Sequence, residues 1–443
     1  MIFSSLEFLI FFIFFIFLIK TFSNYQRYII ILSSLVFYTY WNPIFIFLVL
    51  YLSFFSYHFI KNNINLRISI PLILIPLFYF KYSFFIINLL NINLLKNFTY
   101  TGDLPLAISF ITFTAIAVLV DVKSRKFTDK IDYKNFTEFL IYFPQLIAGP
   151  ILRAKELYPL LRKRIIFDNK NIKFGMLLFL IGFIKKLFFA DTIALIIDPI
   201  FENPSSVNPE DLIKGYLLFP IQIYFDFSGY VDMALGVSII LGINLPINFN
   251  KPYLSYSITE FWRNWHITLS NWFRDYIYIP LGGSKKGKSK LYLNLILTMS
   301  VAGLWHGASL NFIVWGFLNG LLLCLEKIFV KFTNSTSFIK LVLNCFIIFN
   351  LWLVFRITEI ENMLSYFYLL YSNLLEIFDL TNIGIFLFII LAVYSQKFEN
   401  HKNIKNLSNK FSYAILIPIF VIIITTGLGI SAGQSAKFIY FDF

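Results

Sequence analysis

Charged residues are scarce in this chain, 14% of 443, while 58% are hydrophobic and 20% aromatic. That balance leaves far more apolar surface than a water-soluble core of this length can bury, which excludes a soluble globular reading. Cysteine is scarcer still: Cys324 and Cys345 are the only two, both lie in apolar segments, and neither belongs to a metal-ligand spacing. Disulfide scaffolding and zinc chemistry are therefore not expected, and no metal is assigned. Acidic residues number 24 against 37 lysines and arginines, a formal charge of +13. The basic residues cluster between apolar runs, as the bias toward cytoplasmic loops predicts, so the excess reads as membrane topology and not as nucleic-acid affinity.

What is present in abundance is apolar sequence. Ile2–Ile19, Ile68–Phe80, Leu104–Val122 and Ala414–Leu428 approach or reach the length needed to cross a hydrocarbon core about 30 Å thick. Met1–Ile19 has no basic residue ahead of it and no small-residue cleavage site after it, so it reads as a retained first helix. With an external N-terminus, the loops holding Lys20 and Arg27, Lys61 and Arg67, and Lys123, Arg125 and Lys126 all fall inside. Asn135–Leu152 is broken by Pro144, Gly149 and Pro150 between two basic segments, and is expected to dip into the membrane and return. The following Arg153–Lys173 is basic enough to meet either a polyanionic donor such as a coenzyme A nucleotide or lipid headgroups.

Phe174–Ile200 is then expected to cross outward with Lys185 and Lys186 at membrane depth, and Leu212–Gly242 to return. This places the polar and aromatic segment Asn248–Lys290 at the cytoplasmic side. As one helix, Leu291–Phe329 would run roughly 58 Å, nearly twice the membrane thickness. A hairpin bent at Gly303-Leu304-Trp305-His306-Gly307 fits better, with paired glycines permitting the bend. Spans near Leu341–Phe355 and Ile383–Tyr394, a basic loop Lys397–Lys410 and a last span near Tyr413–Ile430 leave the C-terminus outside. The expectation is a single polytopic membrane domain over residues 1–443.

Of the four histidines, His58 ends an apolar span and His401 sits in a basic stretch, so both read as structural or solvated. His306 is flanked by glycines and preceded by Trp305. An imidazole there is approachable, and an unperturbed pKa of about 6.5 suits proton transfer at neutral pH. His266 lies in Phe261-Trp262-Arg263-Asn264-Trp265-His266, followed by Asn271-Trp272-Phe273-Arg274-Asp275 and Tyr278-Ile279-Pro280-Leu281-Gly282-Gly283. Tryptophans beside arginines also describe an interfacial anchor, so residue chemistry alone leaves His266 open.

The segment Phe261–Gly283 taken with Leu304-Trp305-His306-Gly307-Ala308 resembles the signature region of the membrane-bound O-acyltransferases, in the branch of alginate and peptidoglycan O-acetyltransferase membrane subunits. Leu104–Phe110, Phe143–Ile151 and Gln222–Tyr230 agree with it, so that the resemblance covers about residues 104–320 and returns at the C-terminus. Ala107, Thr114 and Asp442 depart from the family's commoner residues. The resemblance implies an all-α membrane protein of about eleven to twelve transmembrane helices with re-entrant segments forming a funnel. It implies His306 and His266 as catalytic histidines, and Trp305, Trp262, Arg263, Asn264, Arg274, Asp275 and Asp226 as substrate-binding residues.

The terminal Phe438-Ile439-Tyr440-Phe441-Asp442-Phe443, in an external tail over 433–443, resembles a motif proposed to carry the acyl group as an ester of Tyr440. A phenol, with a pKa near 10, leaves more readily than an aliphatic alcohol, which suits such a relay. The implied donor is acetyl-CoA, and the implied partner an external SGNH/esterase-like transferase acting on a cell-wall polysaccharide, peptidoglycan before alginate. The implied location is the bacterial inner membrane, with both termini external and lipids as further partners. D-alanyl transfer to teichoic acid is the enzymatic alternative, and transport of a lipid-linked saccharide the non-enzymatic one.

Overall fold

The computed structural model describes residues 1–146, 149–202, 207–329, 337–373 and 383–431. Every regular element among them is a helix. Among the described residues six helices are long and apolar enough to span a membrane: Pro43–Lys61, Leu66–Leu89, Pro209–Ile240, Leu310–Phe329, Phe338–Arg356 and Tyr413–Ile430. The protein is thus an all-helical membrane protein, as its composition required. Its described residues divide into two compact units, one within Met1–Phe183, Tyr230–Pro246 and Ser408–Ile430, the other within Ile184–Gly229 and Ile247–Leu407.

The first unit opens with Leu6–Thr21, which meets Ser23–Thr39 at 105°. Phenylalanine packs the corner: Phe8 and Phe37 lie 6.1 Å apart, and Phe143, from the broken segment after Tyr133–Ile141, meets Phe11 at 5.4 Å and Phe15 at 5.2 Å. Proline inside a membrane helix frees a carbonyl that nothing in lipid can satisfy. Pro76 does so within Leu66–Leu77, and the hydroxyl of Tyr51 donates to the freed Leu72 carbonyl at 2.8 Å. Elsewhere in this unit two helices touch backbone to backbone, since a Cβ on Gly175 would lie 2.5 Å from the Gly236 carbonyl oxygen.

The second unit contains the hairpin. Lys288–His306 and Leu310–Phe329 are separate helices joined at Gly307, so the bend falls where length arithmetic required one. Glycine keeps the arms together. A Cβ on Gly303 would lie 2.0 Å from the Phe312 carbonyl oxygen, on Gly316 2.2 Å from that of Met299, and on Gly320 2.7 Å from the Ile296 Cα. Gly316 and Gly320 are four residues apart, the spacing that lets membrane helices approach closely without a hydrophobic driving force. Ahead of the hairpin, the segment around Asn248 is tied to the end of Ile258–Asn264, with Asn250 N donating to Asn264 O at 3.0 Å and Ile267 N to Asn248 O at 2.9 Å.

One expectation changes. Lys397–Lys410 was to be a basic loop, yet His401–Lys410 is a helix. Asn400 Oδ1 caps its start by accepting from Lys402 N at 2.9 Å, and Ile404 and Ser408, four residues apart, are buried while the lysines stay outward. A single buried stripe sufficed where mean polarity suggested a loop.

The glycine contacts make a direct prediction. Gly316→Leu forces the hairpin arms apart and strongly reduces the amount of folded protein recovered from membranes. Gly384→Leu, at a helical glycine with nothing within 4 Å of an added Cβ, leaves that amount unchanged. Size-exclusion profiles of the two detergent-solubilised variants check the contrast.

Candidate active site

His306 is the last residue of its helix and is 5% exposed. Aromatic rings meet it edge to face on three sides: Trp305 at 4.9 Å, Trp315 at 5.2 Å and Phe355 at 5.1 Å. Such perpendicular contacts are the favoured geometry for rings and hold the imidazole in one plane. The remaining side opens into a cavity of about 360 Å³, lined among others by His306, Trp262, Trp315, Met299, Arg263, Arg274 and Lys327. The three cationic residues are exposed, whereas His306 is buried, so positive charge surrounds the cavity's wet end. A buried imidazole approached past guanidinium and ammonium groups suits proton transfer on a substrate that carries anionic groups at a distance from its reacting atom.

Asn319 orients two of the cavity's tryptophans. Its Oδ1 accepts from Trp262 Nε1 at 3.0 Å and its Nδ2 donates to the Trp315 carbonyl at 2.8 Å, while Trp262 and Trp315 themselves meet at 5.6 Å. The backbone N–H of Thr259 donates to Glu326 at 2.9 Å and ties the opposite edge to the same helix.

His266 lies outside the cavity lining, 1% exposed, with its ring 6.2 Å from that of Trp305 and 4.7 Å from that of Phe227. Its φ of 42° is in the left-handed region, where the chain leaves Ile258–Asn264 and starts Ile267–Phe273. Asn248 Oδ1 lies 3.3 Å from His266 Nδ1 and also accepts from the backbone N and hydroxyl of Thr268 at 3.1 and 2.8 Å. With this acceptor opposite, a neutral ring donates through Nδ1. Burial pushes the imidazole down to about 3, so the ring is uncharged at neutral pH.

The other expected residues separate into groups. Trp262, Arg263 and Arg274 line the cavity with His306. Trp305 backs it, Asn264 braces its own loop by donating to Ser255 Oγ at 3.2 Å, and Asp275 pairs with Arg274 at 2.8 Å. Asp226 is not among the cavity residues. It is 3% exposed and paired with Lys186 at 2.6 Å, and Lys186 also holds Asp191 at 2.7 Å. Lys185 pairs with Glu399 at 2.6 Å, and Tyr224 donates to the same carboxylate at 2.6 Å. The two lysines on the apolar run are therefore held by carboxylates inside the protein. Tyr440 and the terminal tail lie outside the described residues.

Sequence reasoning missed Asn319, Lys327 and Asn248. Asn319 sits between the two glycines of the close-packed helix, and that spacing was the available signal. Asn248 belongs to Asn248–Lys290, a segment distinguished only by its polarity, and shows no local pattern.

The membrane-bound O-acyltransferase family model matches residues 76–368, and the chain belongs to that family; it is an acyltransferase. It is 36% identical over 379 residues to the probable alginate O-acetylase of Pseudomonas putida, covering 80% of this chain and 77% of that one. It is 34% identical over 378 residues to the peptidoglycan O-acetyltransferase of Helicobacter pylori, covering 76% and 72%. Similarity to the teichoic acid D-alanyltransferase of Bacillus subtilis is lower, 26% over 251 residues, covering 52% and 60%.

The ion pairs at Lys186 predict a stability effect without a direct effect on the cavity. Asp226→Ala leaves a buried ammonium with one carboxylate and costs about 3–5 kcal/mol, read as a large fall in Tm. The triple variant Lys186→Met, Asp191→Leu, Asp226→Leu, which leaves none of the three charges behind, recovers much of that loss.

Proposed function

We propose that this protein transfers an acetyl group from acetyl-CoA at the cytoplasmic face to a hydroxyl acceptor, for O-acetylation of a cell-wall polysaccharide, and that His306 is the general base. The observation that carries the proposal is the cavity itself, with a buried imidazole at its inner end and Arg263, Arg274 and Lys327 around its exposed end. In this reading the thioester enters toward His306 while the nucleotide phosphates stay with the cations. His306 takes the proton of the acceptor hydroxyl as its oxygen attacks the thioester carbonyl. The new C–O bond forms, the C–S bond breaks, and the leaving thiolate recovers the proton from the imidazolium. A positioned base of this kind contributes about 10²–10⁴ in rate.

The acceptor hydroxyl is that of Tyr440 in a relay, or of the polysaccharide brought by an external SGNH/esterase-like partner. Peptidoglycan is the acceptor we favour. The similarity to alginate O-acetylases supports an exopolysaccharide as the second reading. The inner-membrane location, the external termini and a count of about eleven to twelve crossings with re-entrant segments belong to the same proposal. His266, neutral and behind Trp305, supports the reacting histidine through that ring and does not itself exchange the proton.

Purified protein incubated with radiolabelled acetyl-CoA and acceptor tests the base. His306→Ala is expected to lower transfer at least about a hundredfold in protein that still folds, and undiminished transfer overturns the assignment. Arg263→Gln with Arg274→Gln is expected to raise KM for acetyl-CoA about five- to tenfold with little change in kcat. His266→Asn keeps a residue that tolerates the left-handed backbone. It lowers the rate but leaves the acidic limb of the pH profile in place, because His266, pushed down to about 3 by burial, gains no proton in that range.

A further inference from the structure

The helices Phe338–Arg356 and Ile383–Ser395 form the walls of a second cavity of about 760 Å³, which shares no lining residue with the His306 cavity. One wall runs from Phe338 to Phe349 and the other from Phe386 to Val393; the lining is almost wholly apolar, with Leu254 and Tyr216 among the residues between the walls. Ser337 lines the cavity beside the start of the first helix, and Tyr394 and Lys397 line it at the end of the second. Cys345, within the first helix, donates to the Tyr253 carbonyl at 3.3 Å and Tyr253 N donates to Gln396, just past the end of the second, at 3.2 Å, so Tyr253 joins the two walls. The Lys397 ammonium stands 4.5 Å above the Tyr394 ring.

Three observations say what fills this trough. Phe338–Arg356 is a candidate membrane span, so its Phe338 end lies at a membrane interface. From Phe338 to Phe349 the wall runs about 17 Å, at 1.5 Å per residue, close to the roughly 15 Å of one leaflet's hydrocarbon and well short of the full core that a partner helix would cross. The end of the second helix carries Tyr394 and the exposed Lys397, the combination that sits at lipid headgroup level and attracts negative charge.

We infer that the trough is a binding site for one anionic phospholipid, an acyl chain lying between the two helices with its phosphate at Lys397. The site has a consequence for the hairpin. The helix that forms its first wall continues to Trp352 and Phe355, and Phe355 is the ring that meets His306 at 5.1 Å. A bound chain therefore braces the helix that confines the histidine.

The test is native mass spectrometry of the full-length protein released from nanodiscs of equal parts phosphatidylglycerol and phosphatidylcholine. One lysine at headgroup level favours the anionic lipid about fivefold, so a single retained phosphatidylglycerol is expected in that excess. Lys397→Gln is expected to abolish the preference while keeping a lipid bound. Val342→Trp, at a half-exposed position on the first wall, is expected to lose the lipid with an unchanged size-exclusion profile, and Ile390→Trp does the same from the opposite wall. Equal retention of the two lipids by the unaltered protein overturns the inference, as does undiminished lipid in both tryptophan variants. A disulfide formed between two copies through Ile390→Cys overturns it as well, since a second chain would then be the occupant.

Discussion

The hairpin that ends at His306 is closed by backbone packed on backbone. At Gly303, Gly316 and Gly320 there is no room for even a methyl group, because the carbonyl or Cα of the facing helix already occupies the place a Cβ would take. In lipid, apolar side chains gain little by leaving one another for the tails around them, so close approach of this kind is what holds two helices together. The position of His306 follows, since it is the last helical residue before the bend. So does its enclosure, because Trp315 lies one residue before Gly316 and Asn319 one before Gly320. The close-packed glycines thus set the ring that faces the histidine and the amide that orients Trp262.

A second constraint is the cost of charge away from water. Lys186 with Asp191 and Asp226, and Lys185 with Glu399 and Tyr224, place two ammonium groups and three carboxylates in the interior of the second unit. Removing one member leaves a desolvated charge, so these pairs define which arrangement of the surrounding helices is tolerated. Around the His306 cavity the opposite holds. Arg263, Arg274 and Lys327 are exposed, with Arg274 beside Asp275, and they face the solvent from which an anion would arrive.

Much of this was legible in the sequence because membranes make length a strict quantity. The apolar run Leu291–Phe329 was too long for one crossing, which required the bend, and the glycines said where. Trp262, Arg263, Arg274 and His306 were singled out together and do line one cavity. The resemblance supplied the chemistry, and the hairpin supplied the place. What escaped was long-range partnership. Trp262 and Asn319 are 57 residues apart, and nothing local in either announces the other. Asp226 lay in a matched motif, and its pairing with a lysine on a different helix had no local signal. The helix at His401–Lys410 escaped because its composition is that of a solvated loop and only the spacing of Ile404 and Ser408 is helical.

The account rests on one spatial claim, that an acyl thioester reaches a buried His306 past a ring of exposed cations. The most direct measurement is a cryo-electron-microscopy structure of the protein with a non-hydrolysable acetyl-CoA analogue. The account predicts density for the phosphates against Arg263, Arg274 and Lys327, and the acyl carbonyl beside the His306 imidazole. Density for the analogue elsewhere in the protein, with the His306 cavity empty, would contradict it.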